Sequence, residues 1–161
     1  MSIKNIQALS LNPHFISILI QSFLTGYVKP CEPRNIFFVA PLLFYKESRE
    51  KLMTARTNSK METIFEEAIP IESGVKLSGK VRLAGFIDRY EVLKDSTKKA
   101  VIILSSEGKI VWHKDIELLE SISYKNYNGE IKNWLKAAYY LGIIMSCTTE
   151  SQINYYFGIE E

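Results

Sequence analysis

Residues 12–27 read NPHFISILIQSFLTGY and show the clearest helix pattern in this chain of 161 residues. Asn12 is a favoured N-cap, and Pro13 suits the first helical turn. Gly26 can end the helix. The apolar side chains in between recur at intervals of three and four residues, as one buried helix face requires: Phe15, Ile16, Leu19, Ile20 and Phe23. The stretch therefore predicts a core helix from about Pro13 to Leu24.

A second helix start is predicted at Thr57-Asn58-Ser59, where three good capping residues precede a helix from Lys60 to Ala68. One side-chain oxygen is enough to cap a helix, so three such residues in a row favour an additional contact with another protein. A buried helix is predicted to begin near Pro41 and to continue as a polar helix from Lys46 to Met53. One predicted partner-binding surface combines Tyr45, Lys46 and Arg49, at the start of this polar part, with Thr57, Asn58 and Ser59.

The composition is that of a soluble globular protein, with 47% apolar and 24% charged residues. A chain of this length is expected to form a single domain, here with a helical part over residues 1–70, a middle segment over 73–114 and a helical part over 115–161. Cys31 and Cys147 lie far apart and are expected to be free thiols. No signal peptide or membrane-spanning run is visible, which predicts a cytoplasmic protein without membrane contacts.

The middle segment predicts a winged helix-turn-helix. A helix from Val75 to Leu93 is followed by the cap residues Asp95-Ser96, a second helix from Thr97 to Ser105 and a strand over Lys109–His113. The four consecutive apolar residues of 101–104 favour a helix that is buried over one that lies in a DNA groove. The predicted fold is mainly α, a compact helical domain with a winged-helix-turn-helix-like unit and a short β wing.

Reading of DNA remains an alternative for this segment, which carries nine Lys or Arg against four Asp or Glu. Lys98 and Lys99 lie near the start of the predicted second helix, where a recognition helix presents its side chains. Lys109 lies in the predicted strand. These three lysines are the candidate DNA contacts, either in a free-standing winged-helix DNA-binding protein or within a larger assembly.

Catalytic chemistry has little support in the sequence. With two histidines, His14 and His113, and no paired cysteines, a metal site of the His/Cys type is not expected. No glycine-rich phosphate loop and no nucleophile motif is present, so neither a cofactor nor a catalytic residue is predicted. A hydrolase that uses Cys147, beside a predicted helix start, is the remaining enzymatic alternative.

The C-terminal part contains doubled aromatic residues on two predicted helices, from Ile131 to Met145 and from Ser151 to Phe157, the second of which is predicted to be capped by Thr148-Thr149-Glu150. Neighbouring side chains on a helix point about 100° apart, so one ring of each pair is left for a partner or caps another side of the core. We therefore add Tyr155 and Tyr156, together with Asn12, to the predicted partner-binding residues.

Three ordered motifs resemble the middle component of prokaryotic three-component ABC-ATPase systems, the group that includes Lamassu anti-phage defence. The family pattern NPxFxxxLLxxFxxGY is matched by Asn12, Pro13, Phe15, Leu19, Ile20, Phe23, Gly26 and Tyr27. The pattern PLxLHKxxREALPxxTNTSLxxW is matched by Pro41, Leu42, Lys46, Arg49, Leu52, Thr57, Asn58 and Ser59, with Tyr45 in place of the histidine. The pattern AxxLGRWFAxxGxxxxIxxLLGV is matched by Ala138, Leu141, Gly142, Ile153, Gly158 and Ile159, with Ile143-Ile144 in place of Arg-Trp.

This resemblance implies a non-catalytic adaptor without a cofactor. Such a subunit would bridge an SMC- or Rad50-like ABC ATPase and an effector, often a nuclease, and would help to restrain the effector until foreign DNA is sensed. Direct DNA contact would then occur only within the complex.

Overall fold

The computed structural model describes residues 12–71, 74 and 76–158. These ranges are mainly helical, as predicted, and no helix in them is both long and apolar enough to cross a membrane. The helices are α1 (Pro13–Tyr27), α2 (Pro33–Ile36), α3 (Val39–Leu43), α4 (Lys46–Met53), α5 (Met61–Phe65), α6 (Phe86–Ser106), α7 (Gly129–Ser146) and α8 (Glu150–Phe157). The strands are β1 (Ile69–Pro70), β2 (Lys76–Leu77), β3 (Ile110–Trp112) and β4 (Ile116–Leu118).

The first helix forms as predicted and packs against both α6 and α7. Asn12 caps it, since its side-chain oxygen accepts a hydrogen bond from the His14 backbone N at 3.0 Å. The helix continues to Tyr27 and ends at Val28, whose φ of 66° is left-handed. Its side chains form the centre of the core, with Ile16, Leu19, Ile20 and Phe23 fully buried.

α1 and α7 cross in backbone contact at two glycines. A Cβ atom at Gly142 would lie 2.0 Å from the Phe23 carbonyl oxygen, and one at Gly26 would lie 2.0 Å from the Tyr139 carbonyl oxygen. Neither glycine has a positive φ, so glycine is required here by the lack of space and not by backbone conformation. The same interface contains a buried hydrogen bond of 2.7 Å, which Ser22 Oγ donates to the Leu135 carbonyl.

A single helix, α6, replaces the two helices predicted before the strand. The predicted cap at Asp95-Ser96 is wrong, because both residues lie inside α6 and the helix continues to Ser106. Asp and Ser lower helix propensity only slightly, and burial of Leu93, Ala100 and Leu104 along one face outweighs that preference. Without a turn inside residues 86–106, the predicted helix-turn-helix does not form there.

The predicted β wing is confirmed as an antiparallel hairpin. Strand β3 pairs with β4, with Ile110 opposite Leu118 and Trp112 opposite Ile116. The hairpin is held to the chain after α1, because the Cys31 backbone N donates to the Ile116 carbonyl at 2.9 Å and the reverse bond is 2.8 Å. Cys31 and Cys147 are both free thiols.

The second helix start differs from the prediction. α5 begins at Met61 after Lys60, which makes no side-chain capping bond, so the predicted cap role of Thr57-Asn58-Ser59 is wrong. Ser59 Oγ instead accepts a hydrogen bond from the Arg56 backbone N at 2.9 Å and closes a turn. The helix ends at Phe65 and does not reach Ala68, because the following residues pair as β1 with β2.

Three arginines stabilise the ends of the short helices α3 and α5. Arg49 donates to the Leu43 carbonyl, Arg89 to the Pro41 carbonyl and Arg82 to the Ile64 carbonyl, each at 2.8 Å. The last carbonyls of a helix have no partner within the helix, and a five-residue helix is only marginally stable by itself. Contacts from distant parts of the chain therefore fix these two helices.

The C-terminal helices are confirmed. α7 spans the predicted apolar stretch, and α8 is capped as predicted by Thr149, whose hydroxyl accepts from the Gln152 backbone N. The Gln152 side chain in turn accepts from the Thr149 backbone N, which completes a capping box. Gly158 ends α8 with a φ of 61°.

We predict that Gly142→Ala destabilises the protein strongly. Alanine is favoured over glycine in a helix interior by about 1 kcal/mol, but overpacking against the Phe23 backbone is expected to cost more, for a net loss of roughly 2 kcal/mol. Urea unfolding followed by circular dichroism measures the difference. Ser105→Ala, at an exposed position of α6, is the matched control and should change the free energy of unfolding by less than about 0.5 kcal/mol. Equal stabilities for the two variants would show that α1 and α7 are not in close contact.

Candidate partner-binding site

Residues 46–62 run alongside α7 in the same direction, and three surface clefts lie between them. We call these the α7 clefts. The first joins α4 to the start of α7 and is lined by Lys46, Arg49, Glu50, Met53, Glu130, Asn133 and Trp134. The second lies between Thr57, residues 121–126 and Tyr139-Tyr140, and the third between residues 60–62 and Ile144, Cys147, Thr148 and Gln152. Of the predicted partner residues of 46–59, Lys46, Arg49 and Thr57 line these clefts.

The first cleft is built on a stacked arginine. The Arg49 guanidinium lies 3.9 Å from the centre of the Trp134 ring, and burial lowers the pKa of Arg49 from its usual value. Trp134 in turn packs edge-on against Phe15 at 5.4 Å. Arg49 therefore forms a half-buried wall of the cleft, whereas Lys46 is exposed at its rim and pairs weakly with Glu50 at 3.8 Å. A cleft of about 230 Å³ between these groups can accept a side chain of another protein.

Tyr45, predicted to lie on the same surface, is engaged within the molecule. The Arg89 guanidinium lies 4.3 Å from the centre of the Tyr45 ring, and the ring is half-buried. The tyrosine thus helps to hold the arginine that bonds the Pro41 carbonyl. Its hydroxyl makes no hydrogen bond with any other described residue.

The second cleft contains a cluster of three tyrosines. Tyr124 lies 5.5 Å from Tyr139, and Tyr139 and Tyr140 meet edge-on at 5.3 Å. All three rings are partly exposed, and desolvation together with a hydrogen bond to Tyr140 raises the pKa of Tyr124. Thr57 lies at the border of this cleft, and Asn58 beside it is exposed. Partly exposed tyrosines are enriched at protein interfaces.

The third cleft holds Cys147, the candidate nucleophile. Cys147 is the C-cap of α7, and its sulfur lies 3.7 Å from Ser146 Oγ. The cap residue of the next helix, Thr149, lies two residues later, so Cys147 belongs to the C-terminal end of α7 and does not lie in the first turn of a helix. The other thiol, Cys31, is buried, and its burial raises its pKa to about 12.

Tyr155 and Tyr156 do not line the α7 clefts. They border a hollow with Leu83, Phe86 and Ile87 at the start of α6. Tyr155 is 62% exposed and its hydroxyl accepts a hydrogen bond of 2.6 Å from Lys80 Nζ. Tyr156 is half-buried, and burial together with Glu62 and Glu66 raises its pKa to about 12. One ring of this pair is therefore exposed, as predicted for a doubled aromatic.

The three lysines predicted to contact DNA do not form a DNA-recognition helix. Lys98 and Lys99 are exposed in the middle of α6 and not at a helix start. Lys109 follows the helix and forms an ion pair of 2.8 Å with Glu107. The acidic residues Asp88, Glu91 and Asp95 are exposed on the preceding turns of the same helix, so the surface of α6 has mixed charge.

Sequence inspection missed a strained apolar residue beside the hairpin. Val28 is 83% exposed and adopts a left-handed φ of 66°, which is rare for a β-branched residue. It borders a groove that also contains Leu119, itself 60% exposed. A strained and solvent-exposed apolar residue is a recurrent feature of binding surfaces, and only the conformation reveals it.

The chain matches, over residues 1–161, the model of the family described as ABC-three component (ABC-3C) system Middle Component 3. The match covers the whole chain, and the chain therefore belongs to this family. The predicted resemblance to the middle component of ABC three-component systems is confirmed at this level. No curated protein and no solved structure matches the chain.

Replacing Val28 by glycine is expected to stabilise the protein by roughly 0.5–1 kcal/mol. The left-handed conformation costs about 1–2 kcal/mol for a residue with a Cβ atom, which outweighs the greater entropy of glycine in the unfolded chain. Chemical denaturation gives the difference, and Val28→Ile serves as the control because it keeps the strain and should unfold like the wild type. A Val28→Gly protein that is no more stable than the Val28→Ile protein would contradict this interpretation.

The isolated chain is expected to show no salt-sensitive binding to duplex DNA, because the acidic residues of α6 offset its lysines. Fluorescence anisotropy with a labelled duplex at about 50 mM salt measures this most sensitively, since phosphate contacts strengthen as salt falls. Binding that weakens with added salt and is reduced in Lys98→Glu and Lys99→Glu would instead support a free-standing DNA-binding protein.

Proposed function

We propose that this chain is a non-catalytic adaptor subunit of an ABC three-component conflict system. It binds an SMC- or Rad50-like ABC ATPase and an effector, often a nuclease, and helps to hold the effector inactive until foreign DNA is sensed. The Lamassu type of anti-phage defence is the system to which the motifs point. The observation that carries the proposal is the family match over the whole chain, because a middle component acts together with other components.

The α7 clefts support the adaptor role. They place aromatic rings and an arginine, the side chains that protein interfaces favour, along one edge of the molecule. Thr57 and Asn58 belong to this edge through a turn and not through helix capping, so their side chains remain available for a partner.

The residues that could carry chemistry support a non-enzymatic role. The Cys31 thiol is buried and its raised pKa keeps it protonated at neutral pH, so it is a poor nucleophile. Cys147 Sγ has its only described polar contact with Ser146, so no imidazole or carboxylate among the described residues activates it. No cluster of metal-ligating side chains occurs within residues 12–71, 74 and 76–158.

We predict that reversing two lysine charges at the α7 clefts disrupts assembly. Lys46 and Lys60 are exposed at the first and third clefts, so Lys46→Glu combined with Lys60→Glu should leave folding intact. If the ATPase or the effector binds here, affinity should fall about tenfold or more, since a charge reversal at an interface opposes the partner's complementary charge. Co-purification with the other components after co-expression, followed by titration calorimetry, measures the loss.

The control for this test is Lys114→Glu, because Lys114 is also exposed but lies on the hairpin turn. It should assemble like the wild type. Normal assembly of the double variant would place the interface elsewhere, and Asn58→Ala then tests the turn alone. Failure of the wild-type chain to associate with any ATPase or effector of its system would overturn the adaptor proposal itself.

A further inference from the structure

Helix α6 has an outward face that no part of the described chain covers. Residues at intervals of four and three along this face are all exposed: Asp88, Val92, Asp95, Lys99, Ile102 and Ser106. Val92 is 69% exposed and Ile102 is 66% exposed, although both are aliphatic. The buried residues, including Leu93, Thr97 and Leu104, lie on the opposite side. We call the six exposed residues the α6 stripe. Its spacing is that of the contact positions of a two-helix coiled coil.

The α6 stripe and the exposed residues beside it divide into two halves of opposite charge. The first half contains the carboxylates Asp88, Glu91 and Asp95, and the second half contains Lys98 and Lys99. None of these five side chains forms an ion pair or hydrogen bond with another residue in the described ranges. The face therefore carries negative charge at one end and positive charge at the other, and neither is paired within the described chain.

The stripe is also symmetric about Thr97. Val92 and Ile102 are equally far from Thr97 along the helix, as are Asp95 and Lys99 and, at the ends, Asp88 and Ser106. If two copies of α6 lie antiparallel with their Thr97 positions level, Val92 of each copy meets Ile102 of the other. Asp95 of each copy meets Lys99 of the other. The aliphatic pair and the charged pair are then complementary, and each occurs twice.

We infer that α6 is a homodimer interface, in which a second copy of this chain packs antiparallel along the α6 stripe. Such a two-fold contact uses the same surface of both copies, and self-complementary charge is what it requires. A parallel pair in the same register would place Asp95 against Asp95 and Lys99 against Lys99, which opposes association. The antiparallel arrangement removes both repulsions and covers the exposed Val92 and Ile102.

The expected affinity follows from the size of the face. The stripe extends over about 27 Å of helix, and one helix pair of this length buries less area than a standard stable interface of about 1,600 Å². The dimer is therefore a weak one, with a dissociation constant on the order of micromolar. Its main attraction combines two aliphatic pairs with two ion pairs, so its affinity falls as salt is raised.

This inference is independent of the proposed adaptor function. A dimer would carry two sets of α7 clefts, whatever those clefts bind. The acidic half of the stripe disfavours DNA as the occupant of this face, because three carboxylates would lie against phosphates. A different protein on this face is an outcome that the following test separates from self-association.

The test uses charge exchange within one helix. Asp95→Lys places Lys against Lys at both symmetric contacts, and Lys99→Asp places Asp against Asp, so each single variant should dimerise about tenfold more weakly or worse. The variant that carries both exchanges restores opposite charges at both contacts and should dimerise like the wild type. Sedimentation velocity over a concentration series of the full chain measures the dissociation constants.

A mixture of the two single variants provides a second test of the dimer. An equimolar mixture of the Asp95→Lys chain and the Lys99→Asp chain should form heterodimers, although neither dimerises well alone. Lys114→Asp, an exposed charge reversal on the hairpin turn, is the matched control and should leave the dissociation constant unchanged. Circular dichroism verifies that each variant is folded.

Three results would overturn the inference. A wild-type chain that stays monomeric at concentrations of about 100 μM has no interface of the expected strength. A dimer that both single exchanges leave intact uses another surface. Failure of the double exchange to restore a lost dimer would likewise show that Asp95 and Lys99 do not meet.

Discussion

The contact between the backbones of α1 and α7 at Gly26 and Gly142 is the constraint on which the rest of the molecule depends. It lets the Ser22 hydroxyl reach the Leu135 carbonyl inside the core. It also holds the Trp134 ring against Phe15 and Phe44, with distances between ring centres of 5.4 and 5.0 Å. Because Arg49 stacks on that same indole, the position of the wall of the first α7 cleft depends on the spacing between α1 and α7.

Local signals of the sequence were sufficient for helices whose apolar residues recur with a clear helical period. α1, α7 and α8 were predicted with nearly correct bounds, and in α1 and α8 the predicted cap residues, Asn12 and Thr149, make the expected hydrogen bonds. The helix predicted to run from near Pro41 to Met53 is instead two helices, α3 and α4, because the chain turns after Leu43. The match of Gly26 and Gly142 to a family pattern marked the two glycines of the crossing. Their contact itself could not be read from the sequence, since it joins positions far apart in the chain.

The failures share one physical cause, which is that good capping residues do not cap unless the chain turns there. Asp95-Ser96 looked like a helix start but lies inside α6, where burial of the opposite face holds the helix together. Thr57-Asn58-Ser59 looked like another, yet the turn closes on Arg56 and α5 starts later. Part of the candidate site was predicted, since Lys46 and Thr57 border the α7 clefts. The tyrosine cluster of residues 124, 139 and 140 and the backbone strain at Val28 could be found only from the structure.

The unbroken course of α6 has a mechanical consequence. Residues 86–106 contain neither proline nor glycine, so the helix is a stiff rod of about 30 Å without a hinge. At one end the Phe86 ring is stacked on Phe157 at 4.9 Å, which ties the rod to α8. At the other end it leads into the hairpin that is bonded to Cys31. A tilt of either end of α6 is therefore transmitted to the other end, because no flexible position lies between them.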